Sequence, residues 1–254
     1  MITTYYRPQT LKEALKLLSA PNTRPLGGGT ILAHPGDEAF CVVDLQALGL
    51  DKLHKSGNNL EIGATVTLQT LLESPHSPAA LKAAIKLETP LNLRNMGTVA
   101  GALVICDGRS PFASVMLALG ARLTVDGGKL KVYGLGDFLP FRHDLLKCKL
   151  ITKIEIPLQA KLAFETVARS PADKPIVCVA LAQWPSGRTR LVIGGWGSFP
   201  SMAMDGNEPG SIEGAARNIA HDAADEWAGA EYRREVAVIL AKRCLDKILH
   251  HNRE

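Results

Sequence analysis

A chain of 254 residues with 46% hydrophobic and 21% charged residues has the make-up of a folded globular protein, enough for one large domain or two smaller ones. A net charge of +4, dispersed cations and an aromatic content of 5% argue against a nucleic-acid stacking platform. Five cysteines, Cys41, Cys106, Cys148, Cys178 and Cys244, are odd in number and widely spaced, which fits neither a disulfide framework nor a zinc or iron–sulfur motif.

No apolar run reaches the ~18 residues needed to span a bilayer. The start, Met1-Ile2-Thr3-Thr4-Tyr5-Tyr6-Arg7, lacks the apolar core of a signal peptide, so a cytoplasmic location is expected. Thr10-Leu11-Lys12-Glu13 is a capping box opening a helix over 11–19, with Leu11, Leu15 and Leu18 on one face. Next comes Arg24-Pro25-Leu26-Gly27-Gly28-Gly29-Thr30. Glycine lets a backbone approach a ligand closely, and consecutive N–H groups in such a turn converge on an anion. It lacks the Gly-Lys-Ser/Thr of a P-loop and the spacing of the dinucleotide fingerprint. Taken alone, the run fits a flexible surface turn as well as a phosphate cradle. His34, just beyond it, fits a solvated loop histidine.

Residues 40–45 and 60–64 carry strand patterns, Thr67 caps a short helix ending near 74–75, and Ser77-Pro78 reads as the cap and first turn of a helix over 79–87. A second glycine-punctuated loop follows at 93–102, and then Asp107-Gly108-Arg109-Ser110-Pro111 opens a helix over 112–119 that stops at Gly120. A hairpin is expected over 121–125 and 129–133, a loop at Asp137-Phe138, and a strand over 150–156 closed by Pro157. Beyond it lie three β-like runs, 162–168, 176–183 and 189–194, then a loop over 198–210. A final helix spans about 231–250, its buried face marked by Val236, Leu240, Cys244 and Ile248. The polar end, with His250 and His251, fits a frayed terminus. The three tryptophans, Trp184, Trp196 and Trp227, fit ordinary packing.

The order of these pieces resembles the flavin-binding medium subunit of the molybdenum-containing hydroxylases, the carbon monoxide dehydrogenase and xanthine dehydrogenase family. Leu26-Gly27-Gly28-Gly29-Thr30 resembles its first flavin loop, L-A-G-G-T. Arg94-Asn95-Met96-Gly97-Thr98-Val99-Ala100-Gly101-Ala102 resembles its second, R-N-x-G-T-I-G-G-N. Tyr6-Arg7-Pro8, Val43-Asp44-Leu45, Ile62-Gly63-Ala64, Ile154-Glu155-Ile156-Pro157 and Glu231-Tyr232-Arg233-Arg234 fall in the family's order.

The resemblance implies an α+β fold: a PCMH-type FAD-binding domain over 1–157, in two subdomains split near 50–60, then a C-terminal domain over 158–254 with a three-stranded antiparallel sheet and helices. It implies FAD, with Leu26, Gly27, Gly28, Gly29, Thr30 and Ile31 at one phosphate region and Thr98, Val99, Ala100 and Gly101 at the other. Ala64 and Leu150 would lie near the flavin or its chain. It implies partners as well: a small iron–sulfur subunit and a large molybdenum-cofactor subunit, in a dimer of heterotrimers. Electrons would reach an acceptor through FAD, with no catalytic side chain and no metal in this chain. Three positions depart from the pattern. Ala100 replaces Gly, Ala102 replaces Asn, and Pro111 stands where an Asp often holds the adenosine ribose, a task left to Asp107 or Ser110. A flavin-free relative acting as a structural or assembly subunit is the alternative.

Overall fold

The computed structural model describes residues 1–32, 38–207 and 211–250, so His34 and His251 lie outside the described residues. In chain order the elements begin β1 (Ile2–Tyr6), α1 (Leu11–Leu18), β2 (Thr23–Leu26), β3 (Phe40–Asp44), β4 (Leu53–Ser56), β5 (Asn59–Gly63) and α2 (Leu68–Glu73). Next come α3 (Ala79–Glu88), α4 (Leu91–Arg94), α5 (Val99–Ile105), α6 (Pro111–Ala118), β6 (Arg122–Asp126), β7 (Leu130–Gly134), α7 (Leu135–Phe138) and α8 (Arg142–Leu145). The chain ends with β8 (Leu150–Pro157), β9 (Lys161–Val167), β10 (Val177–Gln183), β11 (Thr189–Gly194), β12 (Ser201–Gly206), α9 (Ile212–Ile219) and α10 (Ala230–His250).

Two compact units share the chain. Residues 1–75, 90–104 and 122–155 form the first, and 76–89, 105–121 and 156–254 the second. The sequence suggests a single cut after residue 157; in the contacts, 76–89 and 105–121 group with the C-terminal part.

The first unit holds a three-stranded parallel sheet, β1-β3-β2, and a five-stranded sheet, β4-β5-β8-β6-β7. Helix α1 is capped as expected, the Thr10 hydroxyl accepting the Glu13 N–H at 3.2 Å. The Glu13 carboxylate reaches back one residue further than a capping box predicts, to the Gln9 N–H at 3.1 Å. Its apolar face buries Ala14 and Leu18 against Val43, Leu45 and Leu150. Three differences from the sequence reading fall in this unit. The short strands β1, β2 and β4 are made by pairing rather than by local pattern. Residues 137–138 end the helical turn α7 instead of starting a loop. The second loop shrinks to about 95–98, because 99–102 already belong to α5.

The second unit holds a four-stranded antiparallel sheet, β12-β11-β10-β9. The expected three-stranded sheet gains β12 from the stretch read as loop. Ser-Met-Ala-Met-Asp-Gly has no β-branched residue to announce a strand, yet it pairs with β11, and Asp205 is clamped by Arg188 and Arg190. Helix α10 lies on this sheet's core with Leu240, Cys244 and Ile248 buried as expected, and Ala237 and Ala241 complete the face. Val236 packs only partly buried against that core. Helix α3 starts at Ala79 as expected and runs one residue further, to Glu88. Pro78 takes the cap position with ψ 146°, so Ser77 is not the cap. Among the described residues no helix is long and apolar enough to cross a membrane.

Candidate functional site

Strand β2 runs parallel to β3 and delivers the chain, at its C-terminal end, into the triple-glycine loop. Loops at the carboxyl ends of parallel strands are the usual place for ligands. The ladder stops at Leu26, whose carbonyl accepts the Leu45 N–H at 3.0 Å. Beyond it the N–H groups of Gly27, Gly28, Gly29 and Thr30 have no acceptor among the described residues. All four residues are partly open to solvent. Gly29 has φ +70°, the left-handed region that favours glycine. Consecutive N–H donors bent by one left-handed residue form an anion-binding concavity.

The glycines are needed for a second reason. A β-carbon on Gly28 would stand 1.7 Å from the Met96 carbonyl oxygen, and one on Gly27 would stand 3.0 Å from Thr98 Oγ1. The two glycine loops expected from the sequence therefore touch. A β-carbon on Gly97 would in turn lie 3.8 Å from the Thr30 methyl.

The second loop differs in what it offers. Its N–H groups already have acceptors: Met96 and Gly97 donate to the Leu93 carbonyl, Val99 to Val66 at 2.8 Å, Ala100 to Ala64 at 3.3 Å and Gly101 to Thr98 Oγ1 at 3.1 Å. Thr98 is buried and caps α5. Val99, Ala100 and Ala102 are buried too, Val99 completely. The N–H groups of Val99, Ala100 and Gly101 thus all have partners within the fold. Ala64 is buried and bridges two elements, donating to Thr152 at 3.2 Å and accepting from Ala100. Leu150 is 3% exposed and belongs to the core around α1. Ile31 is 52% exposed beside the first loop.

Asp107 and Ser110 lie in the second unit. Asp107 accepts the Arg109 N–H at 2.9 Å and pairs with Lys174 Nζ at 2.6 Å. Ser110 caps α6 by accepting the Ala113 N–H at 3.0 Å, and its hydroxyl donates to Glu88 at 2.8 Å. Both polar groups are therefore engaged within the unit. Glu88 is a residue that sequence reasoning missed. Its carboxylate also accepts the Phe112 N–H at 3.0 Å, closing the start of α6. Burial pushes its pKa up, while the bonds from Phe112 and Ser110 pull the other way. Nothing local in Lys86-Leu87-Glu88-Thr89 marks it, because its partners lie more than twenty residues away.

The first loop suits a doubly charged pyrophosphate: several backbone donors in one turn, glycines that put no side chain in the way, and the backbone of residues 96–97 packed behind. The residues thus fit a dinucleotide-type cofactor such as FAD on this face.

Residues 1–159 match the family model described as the FAD binding domain in molybdopterin dehydrogenase. The glyceraldehyde dehydrogenase medium chain of Sulfolobus acidocaldarius is 28% identical, over 96% of this chain and 98% of that protein. In fold, the chain is similar to one in quinoline 2-oxidoreductase from Pseudomonas putida 86, with TM-score 0.81, 21% identity and 99% and 98% coverage. It is also similar to one in the carbon monoxide dehydrogenase of Hydrogenophaga pseudoflava, with TM-score 0.78, 20% identity and 97% and 96% coverage. Matched by that family model over more than half its length, the chain belongs to the FAD-binding domains of the molybdopterin dehydrogenases.

Proposed function

We propose that this chain is the FAD-carrying subunit of a three-subunit molybdenum hydroxylase. It takes electrons from iron–sulfur clusters on a small subunit, and a large subunit oxidises the substrate at its molybdenum cofactor. The whole assembly forms a dimer of heterotrimers. The four N–H groups of Gly27 to Thr30, lacking acceptors among the described residues, are the observation that carries the reading. FAD supplies the acceptance of electrons singly or in pairs, and the protein supplies binding and orientation. Gly27, Gly28, Gly29 and Thr30 hold the pyrophosphate through backbone donors, and Ile31 shields the approach. Thr98 sets the position of α5 behind them. Asp107 and Ser110 serve the second unit's own structure. No side chain of this chain is required to move a proton for the cofactor to be held. The free thiols Cys41, Cys106, Cys148, Cys178 and Cys244 support a reducing, cytoplasmic compartment.

The test is direct. The purified chain should be yellow, and denaturation should release a chromophore identified by mass as FAD. A colourless chain that takes up no added FAD would overturn the reading. Co-expression with candidate small and large subunits should give a complex containing iron and molybdenum.

A further inference from the structure

We propose that Gln69, which lies outside both glycine loops, is a positioning residue for the cofactor site. This rests on the reading that the first loop binds FAD. Gln69 is in the first turn of α2. Its Nε2 donates to Glu73 Oε1 at 2.7 Å, which turns the amide oxygen toward Arg94, whose Nε donates to it at 3.1 Å. The neighbouring residue Leu68 makes a main-chain bond of its own, donating to the Gly97 carbonyl at 2.9 Å. The start of α2 therefore grips the second loop at two points, before and after Met96.

What it grips matters. Arg94 is the last residue of α4, a single turn of four residues with a low intrinsic tendency to hold its shape. The Met96 and Gly97 N–H groups fold back onto the Leu93 carbonyl at 3.2 and 2.7 Å. That turn fixes the Met96 carbonyl oxygen, which lies where a β-carbon on Gly28 would be. Gln69 thus sets α4, α4 sets the Met96 carbonyl, and that carbonyl backs the first loop. The second loop acts mainly as a brace. Loosening this contact lets the α4 turn shift, and the Gly27 to Thr30 donors lose their common focus.

The experiment compares the full chain with Gln69→Leu and with the exchanged pair Gln69→Glu/Glu73→Gln. Flavin fluorescence quenching measures FAD affinity, and thermal unfolding is recorded without FAD. Gln69→Leu removes an acceptor of the Arg94 guanidinium and should raise the Kd for FAD about tenfold. The exchanged pair keeps an amide-to-carboxylate bond between positions 69 and 73 and an oxygen facing Arg94, and should hold affinity within about threefold of wild type. A Gln69→Leu chain that binds FAD as wild type does, with or without a lower unfolding temperature, overturns the positioning role. So does an exchanged pair as weak as Gln69→Leu. A wild-type chain that binds no FAD would overturn the cofactor reading itself, and this proposal with it.

Discussion

The carbonyl oxygen of Met96 and the α-carbon of Gly28 are packed so closely that no side chain fits between them: a β-carbon on residue 28 would stand 1.7 Å from that oxygen. A contact this short is with backbone, which cannot rotate away as a side chain can. Gly28→Ala should therefore force the two loops apart. The expected cost is about 1–3 kcal/mol of stability, as for other overpacked sites. Loss of bound flavin from the purified chain should accompany it. Urea unfolding and the flavin absorbance of the same preparation check both halves.

Glu88 makes a different kind of prediction. Removing its carboxylate in Glu88→Ala leaves the Phe112 N–H and the Ser110 hydroxyl without their partner. The second unit should lose about 2 kcal/mol. In the wild-type protein the pKa of Glu88 is raised above its ordinary value by burial. The folded chain then holds this proton more tightly than the unfolded chain does. Its contribution is greatest below the ordinary glutamate pKa and declines as pH rises through the raised one. Glu88→Gln should flatten that decline in a stability-versus-pH series.

Asp205 should behave in the opposite sense. The Arg188 guanidinium first, and Arg190 second, hold its carboxyl down at about 2. A depressed pKa gives stability that is present above the ordinary aspartate value and is lost as pH falls toward about 2. Asp205→Asn should lower stability at neutral pH by about 1 kcal/mol, a modest figure because Arg188 is half exposed. The gap between variant and wild type should close as the medium is acidified from pH 4 to about 2. Denaturant melts at four or five pH values would show it.

Arg233 is fully buried in the first turns of α10. It donates to the Ala223 carbonyl and to Asp225 Oδ1, the latter at 2.7 Å, and its guanidinium lies 5.7 Å from the Trp196 ring. Arg233→Met keeps much of the volume but removes both donors. It should cost about 2 kcal/mol and loosen residues 223–228, which hydrogen exchange would localise.

The sequence was most readable where local chemistry and tertiary demand agreed. Thr10, Thr67 and Ser110 are caps by residue type and accept the N–H groups that caps should. Leu240, Cys244 and Ile248 repeat every fourth residue and are buried. The turn after β2 was readable because a run of three glycines breaks a strand, and Gly29 takes the left-handed φ of +70°. Reading failed where a partner far along the chain decided the outcome. Strand β2 is Thr-Arg-Pro-Leu, hardly a strand pattern, and exists because β3 pairs with it. Strand β12 depends on β11 in the same way. Within the second loop, the Ala64 and Val66 carbonyls accept the Ala100 and Val99 N–H groups, a pairing between distant residues that spacing alone does not reveal.

That arrangement explains how the chain can hold its brace while departing from the usual residues there. Position 100 contributes an N–H to Ala64 and position 102 an N–H to the Thr98 carbonyl. Every amino acid except proline brings the same N–H. At positions 100 and 102 the support is therefore main-chain, so any side chain small enough for its buried place keeps the same bonds. The burden of identity falls on the few places where an extra atom would collide, and Gly28 is foremost among them.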